Sequence, residues 1–290
     1  MRVIEQPGLV ATERHTVCPT DAIPISIELP AGQILLSGVT DALSKLGYLS
    51  ACLQIKDALI STMHFVMPAP SPDEDHVAWW SETHIIDCSA DHPGRIEEAG
   101  FIYGWREGGP FIHCHGAWRD RNSTYSAGHM LPDTCVLSSA TTLTGWAFPD
   151  ARFEGAFDAE TNFTLFHPAQ LTEAQQHKPA SAVILRLRPN VEIGDELIAI
   201  CQDLGWGAAD IYGLGSLIGA RFRNGRVLES FATEFLVRSG KVWQGSANSG
   251  SDIDILVVGI NGEIMQGMLQ AGENAVLMTC ELVLIRSDTD

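Results

Sequence analysis

Leu46-Gly47-Tyr48 and, 158 residues on (204 − 46), Leu204-Gly205-Trp206 are one signal written twice. Ala58-Leu59-Ile60 and Ser216-Leu217-Ile218 repeat at the same offset, and a shared offset suggests internal duplication. Farther along, Gly100-Phe101-Ile102 matches Gly240-Lys241-Val242 and Val136-Leu137 matches Val276-Leu277, now 140 apart. The first copy therefore carries 18 extra residues (158 − 140), placed between Val66 and Gly94. There Pro68, Pro70, Pro72, Asp73, Glu74 and Asp75 predict an exposed loop. Trp79-Trp80 could fold that loop back as a lid, although a plain surface insertion is the commoner outcome.

Each copy reads as a strand, a helix ending at the Leu-Gly-aromatic signal, then several strands with turns between them. In the second copy Ala182 to Leu187 is the first strand and Asp195 to Leu204 the helix, with Gly205 as its stop. Asn261-Gly262 between apolar runs signals a hairpin whose two central residues accept positive φ, so strands here are expected to be antiparallel. The expected fold is thus α/β of the α+β kind: two tandem domains, each a mainly antiparallel sheet packed with a helix. The polar stretch from Pro168 to Ala180, with Gln175-Gln176 and Lys178-Pro179, reads as a linker and divides the chain into 1–175 and 176–290.

The 290 residues are 45% hydrophobic, enough to fill real cores. Eighteen Lys and Arg face 36 Asp and Glu, a formal charge of −18 that repels polyanions and makes DNA a poor expectation. Met1 to His15 lacks the apolar stretch of a signal peptide, and no segment has the uninterrupted length of a membrane span. Seven cysteines without a C-x-x-C pair read as reduced, mostly buried thiols, and the expected location is the cytoplasm.

All ten histidines lie at or before position 177, so scaffold packing common to both copies cannot be what requires them. In Phe111-Ile112-His113-Cys114-His115-Gly116 two imidazoles sit two apart on a strand and project from one face, with Cys114 on the other. The polar run Arg119 to Ser126 reads as a turn, so the returning strand brings His129 beside them. Three neutral imidazoles with an open position are the ligand set of a catalytic zinc or a similar divalent metal. An H-x-H pair alone is weak, because strand-face histidines are often solvated. The repeat shifts the balance, since at offset 140 the counterparts of His113 and His115 are the apolar Ile253 and Ile255. His64 and His84 could approach the site, while His15, His76, His92, His167 and His177 read as surface residues. Gly213 to Gly219 lacks the spacing of a phosphate loop and is expected to serve strand packing. Asp252 and Asp254 could chelate a hard cation but read as solvent-facing.

Gly109-Pro110-Phe111-Ile112-His113-Cys114-His115, the short loop with Asp120, and Gly128-His129-Met130-Leu131 together resemble the signature of the plant-and-prokaryote conserved (PPC) domain family. The second copy resembles the same domain through Gly213 to Phe222, Ala232-Thr233-Glu234 and Gly272 to Glu281, so the likeness runs from about Ser26 to Ile285. Without the histidines, copy two looks degenerate. The resemblance implies an α/β domain with a mainly antiparallel sheet, a homo-oligomer assembling as trimers, and a histidine site near a subunit interface. Plant relatives labelled DNA-binding add an Arg-Gly-Arg-Pro arm, and no such arm occurs here.

The functional expectation is a metal-dependent enzyme, a hydrolase, lyase or isomerase, acting on a small oxygenated organic acid. His113, His115 and His129 hold the ion, zinc by preference, which polarises a substrate oxygen. Glu97, Glu98 and Asp120 are candidates for the carboxylate that moves protons, and Arg119 and Arg121 for a clamp on a substrate carboxylate. The alternatives are a small-molecule-binding protein without turnover and a DNA-associated regulator, the latter requiring a basic face.

Overall fold

Helix α1 (Leu35–Leu46) buries Leu35, Val39 and Leu43, a stripe at four-residue spacing that lies on one side of the helix. Gly47 ends it at φ 80°, its N–H reaching Ser44 O while that of Tyr48 reaches Leu43 O. Helix α2 (Ile193–Asp203) buries Ile193, Leu197, Ile200 and Cys201, and Gly205 and Trp206 make the same pair of bonds to Gln202 O and Cys201 O. The repeated Leu-Gly-aromatic signal is therefore a paired helix stop, a glycine in the left-handed region followed by an apolar residue.

The computed structural model describes residues 1–171, 180–245 and 248–287. Strands β1 (His15–Thr20) and β2 (Ile23–Leu29) precede α1. After it come β3 (Ala51–Val66), the short β4 (Pro68–Ala69), β5 (Trp79–Trp80) and β6 (His84–Ile85), then the long β7 (Gly94–Arg106), β8 (Gly109–Arg119) and β9 (Tyr125–Leu137). The first half closes with β10 (Thr141–Ala147), β11 (Ala151–Asp158) and β12 (Phe163–Gln170). The second half holds β13 (Ala182–Leu187), α2, β14 (Ala208–Leu217), β15 (Ala220–Arg221), β16 (Val227–Leu228), β17 (Thr233–Gln244), β18 (Ser249–Gly259), β19 (Ile264–Met268) and β20 (Val276–Ser287).

These strands form two main sheets, antiparallel apart from a single parallel bridge between β11 and β7, so the fold is α+β as expected. The first runs β12-β11-β7-β8-β9-β3-β10-β2, with β3 also pairing β7, so that β3, β7, β8 and β9 close on themselves. The second runs β1-β13-β20-β14-β17-β18-β19. Within each half the same order recurs: β2-β10-β3-β7-β8-β9 and β13-β20-β14-β17-β18-β19 place the last strand between the first and the second. The chain start departs from the sequence division, because β1 forms the edge of the second sheet beside β13. Pro168, Ala169 and Gln170, read as linker, finish β12. The boundary at 175, the linker from 172 to 179 and His177 lie outside the described residues.

Turn chemistry fixes the hairpins. Glu107 and Gly108 both take positive φ (53° and 79°), forming the tight two-residue connection from β7 to β8. Between β18 and β19 only Gly262 of the Asn261-Gly262 pair does so, at 79°, because the loop is longer than the two-residue form. Each sheet has its own apolar core, one around Leu53, Phe101 and Trp118, the other around Leu185, Phe235 and Leu282. Between the halves, Ile102, Phe148 and Phe153 meet Ile184, Leu214 and Val283, and Ala117 and Ala127 meet Leu256 and Val258. Among the described residues no helix is long and apolar enough to cross a membrane.

Candidate metal centre

On β8, Ile112 and Cys114 point into the first core, so His113 and His115 face the second half of the chain. The turn Asp120 to Thr124 returns the chain as β9, whose register sets His129 directly opposite His115. The three rings gather with centroids 4.6, 5.0 and 5.5 Å apart, and a ligand nitrogen from each lies within 4.8 Å of the others.

Hydrogen bonds settle which nitrogens face inward. His113 Nδ1 lies 2.7 Å from Glu281 Oε2, and His115 Nδ1 lies 2.9 Å from the Phe235 carbonyl. A carboxylate and a carbonyl only accept, so both Nδ1 atoms carry protons, and in the neutral ring each Nε2 then keeps its lone pair. Those two Nε2 atoms stand 3.1 Å apart. Two facing lone pairs repel unless a cation lies against both, and two nitrogens on one tetrahedral zinc are about 3.3 Å apart for bonds of about 2.0–2.1 Å. The donor set thus fits a divalent metal. The partners of the Nδ1 atoms supply the outer hydrogen bonds that orient such ligands.

Both outer partners come from the second half. Glu281, on β20, has a side chain 1% exposed and also accepts from Thr279 Oγ1 at 3.2 Å. Glu234, on β17, places Oε1 4.0 Å from His115 Nε2, and its Oε2 has no hydrogen-bond partner among the described residues. Burial pushes the Glu234 carboxyl up to about 8, with the His129 backbone N–H pulling the other way. Burial likewise drives His129 down to about 3, helped by the charges of His113 and Arg106. His115 falls well below the usual range, first through burial and then through His113 and His129. The two lowered values favour neutral imidazoles at His115 and His129, the form that binds metal.

The histidines open into a cavity of about 380 Å³ lined also by Arg106, Glu234, Glu281 and Thr279. Its lining is also aromatic, including Trp79, Trp80, Phe111, Phe163 and Phe166. The insertion does fold back: β4 and β5 form a hairpin, and Asp75 O accepts from Asn162 Nδ2 at 2.9 Å. His76, read as a surface residue, packs on Trp79 (4.6 Å) and Phe163 (4.7 Å) and lines the cavity.

The other sequence candidates sit elsewhere. Glu97 accepts from Arg119 Nε at 2.9 Å, and Arg121 Nε donates to Asp87 at 2.9 Å. Glu98 takes two bonds from Arg238 Nε (2.9 and 3.1 Å), and Asp120 accepts the backbone N–H groups of Asn122 and Thr124 within its turn. None of the five lines the cavity. His84 stacks on Phe65 at 5.0 Å, and neither it nor His64 reaches the cavity. Sequence reasoning missed Glu234, Glu281 and Arg106 as site residues. Glu281 had a signal, an acid set inside the apolar run from Val276 to Leu284.

The counterpart positions also need correction. Ile253 and Ile255 face the second core, as Ile112 and Cys114 face the first, and the β18 residues that turn away from their core, as His113 and His115 do from theirs, are Asp252 and Asp254. Met268 stands opposite Asp254 as His129 stands opposite His115. Asp252 is paired with Arg223 and Asp254 with Arg238, so each of these acids already has a cation beside it.

No protein-family model matches this sequence, and no curated protein matches it. Among solved structures, it is similar to a metal-containing protein from Archaeoglobus fulgidus, at 14% identity and a TM-score of 0.42, over 52% of this chain and 97% of that one. It is also similar to a plant- and prokaryote-conserved protein from Pyrococcus horikoshii, at 13% identity and a TM-score of 0.37, over 56% of this chain and 100% of that one.

Proposed function

We propose that His113, His115 and His129 hold one divalent metal, zinc by preference, and that the protein is a metal-dependent enzyme acting on a small oxygenated organic acid. The observation that carries the metal reading is the approach of His113 Nε2 and His115 Nε2 to 3.1 Å while each Nδ1 is committed to an acceptor. A divalent ion bound there supplies Lewis acidity toward a substrate oxygen.

The chain's own groups divide the remaining work. Glu234 is the proton carrier of this reading, because its Oε1 borders the histidines and its Oε2 is unpartnered at the cavity. Arg106 takes the role first given to Arg119 and Arg121, since it lines the cavity and they do not. Glu281 fixes the ring of His113, and the Phe235 carbonyl that of His115. The insertion over the cavity limits water at the site.

The matching strand order of the two halves supports a duplicated domain whose second copy gave up metal ligands and now completes the first copy's site. The free cysteines suit a reducing compartment, and the cytoplasm is the proposed location. A homo-oligomer, a trimer by family resemblance, belongs to the same proposal.

Elemental analysis of chain purified without chelator is expected to find about one divalent metal per chain. His113→Ala with His115→Ala should remove it, and a double variant that keeps its full metal complement overturns the assignment. A screen of metal-loaded protein against small carboxylic acids, read by turnover, separates an enzyme from a binding protein.

A further inference from the structure

The 18 residues that distinguish the first copy from the second bring aromatic side chains to the metal centre. His76, Trp79 and Trp80 gather with Phe163: Trp79 stacks on Trp80 at 4.0 Å and lies 5.2 Å from Phe163, and His76 meets both Trp79 and Phe163. Phe111 and Phe166, centroids 5.6 Å apart, extend the lining. All six rings line one cavity with the three histidines. Such a wall is far more apolar than a small aliphatic acid requires, and a π-face offers a flat ligand ring stacked or edge-on contact beyond the area it buries.

The opposite chemistry is as selective. Arg106 is the one Lys or Arg among the described residues lining the cavity, in a chain of net charge −18. Its guanidinium lies over Phe111, 5.2 Å from the ring centre, and its Nε stands 3.5 Å from the exposed Glu107. Among the described residues no buried carboxylate forms an ion pair with it, and its planar fork suits a ligand carboxylate. A metal on the histidines would add positive charge at the same place.

We propose that this cavity binds a carboxylate attached to an aromatic ring, the carboxylate at Arg106 and the histidines and the ring against Trp79, Phe163 and their neighbours. The proposal deepens the metal-enzyme reading and rests on it. The insertion is then the specificity element of the site, and Trp79 and Arg106 are its two determinants.

A matched pair of probes tests it: mandelate and lactate share a 2-hydroxy carboxylate head and differ by phenyl against methyl. Calorimetric titration of the zinc-loaded full chain is expected to show mandelate binding about tenfold or more tighter than lactate, with quenching of tryptophan fluorescence. Trp79→Ala should remove most of that preference, and Arg106→Gln should weaken mandelate about tenfold while sparing the uncharged mandelamide. Circular dichroism and metal content, measured on every sample, separate a folding defect from a binding one, and Phe163→Leu probes the same wall independently. Equal affinity for mandelate and lactate overturns the proposal, as does a preference that survives both Trp79→Ala and Phe163→Leu. Full metal with no preference for the ring sinks this proposal alone. A ring preference through Trp79 in protein that takes up no metal sinks the metal reading instead.

Discussion

Glu281 does for His113 what a backbone carbonyl does for His115: it holds the proton on Nδ1 and leaves Nε2 to face the centre. Its carboxylate is buried and also tied to Thr279, so the ring it orients has little freedom. Outer partners of this kind tune metal affinity by about 10–100-fold. Glu281→Gln, which retains an acceptor but loses the charge, is expected to fall near the lower end of that range, and Glu281→Leu farther. Competition against a chromophoric chelator reads both, and unchanged affinity in the leucine variant would remove Glu281 from the site. The histidines were legible because their spacing on one strand fixes a shared face and the next turn returns the third. That Glu234 and Glu281 join them was not, although Glu281 stands out inside its apolar run, since they reach the site from 121 and 168 residues away in sequence (234 − 113 and 281 − 113), through packing of one sheet on the other.

Strand β9 can hold His129 in place only because its neighbour in the chain is small. A Cβ at Gly128 would lie 2.4 Å from the Val66 carbonyl oxygen of β3, a backbone atom that cannot swing aside. Gly128→Ala is therefore expected to cost about 1–3 kcal/mol of stability and to weaken metal binding as β9 shifts. Denaturant melts with and without added zinc check this, and a midpoint equal to the parent's in both would contradict it. Helix ends were readable because the glycine stop is a local conformation, recorded in three consecutive residues. Register was not. Irregularities interrupt β7 between Ile96 and Glu98 and β17 between Val237 and Ser239, and an extra residue at a bulge is invisible to an ungapped offset. A slip of one residue exchanges faces, so the offset of 140 lands on the core-facing Ile253 and Ile255 and not on their neighbours Asp252 and Asp254.

Across the whole molecule the two halves are joined by charge as well as by apolar packing. Arg186 of β13 is fully buried, and its Nη1 donates to Asp158 of β11 at 2.8 Å and lies 2.8 Å from Nε2 of His167 on β12. A guanidinium only donates, so His167 must keep a lone pair toward it and stay neutral. Arg186 was visible as a charge inside the apolar run Ala182 to Leu187. Its partners were not, because His167 read as an ordinary surface residue beside Pro168.

This junction sets a pH dependence whose sign follows from the direction of each shift. Burial, then the charge of Arg186, lowers His167 to about 4, below the ordinary histidine value of about 6.5. Between those values the unfolded chain takes up a proton that the folded one refuses, so the contribution of His167 is intact above about pH 6.5 and lost as pH falls toward 4. Asp158 extends the loss to lower pH. Burial alone would raise its carboxyl, but the hydrogen bonds and charges of Arg186 and Arg188 outweigh it and hold the group well below its usual value. Its stabilisation is present above the unfolded carboxylate value of about 3.9 and disappears as pH falls through the lowered one. Denaturant titrations of metal-free protein from pH 8 to pH 4 should therefore show falling stability already above the carboxylate range. His167→Gln, which offers Arg186 a neutral acceptor that does not titrate, should flatten the part of that slope between about pH 6.5 and 4 that belongs to this residue. An unchanged slope in that variant would mean that His167 does not stay neutral at the junction, and that the contact between the halves is not held as the geometry requires.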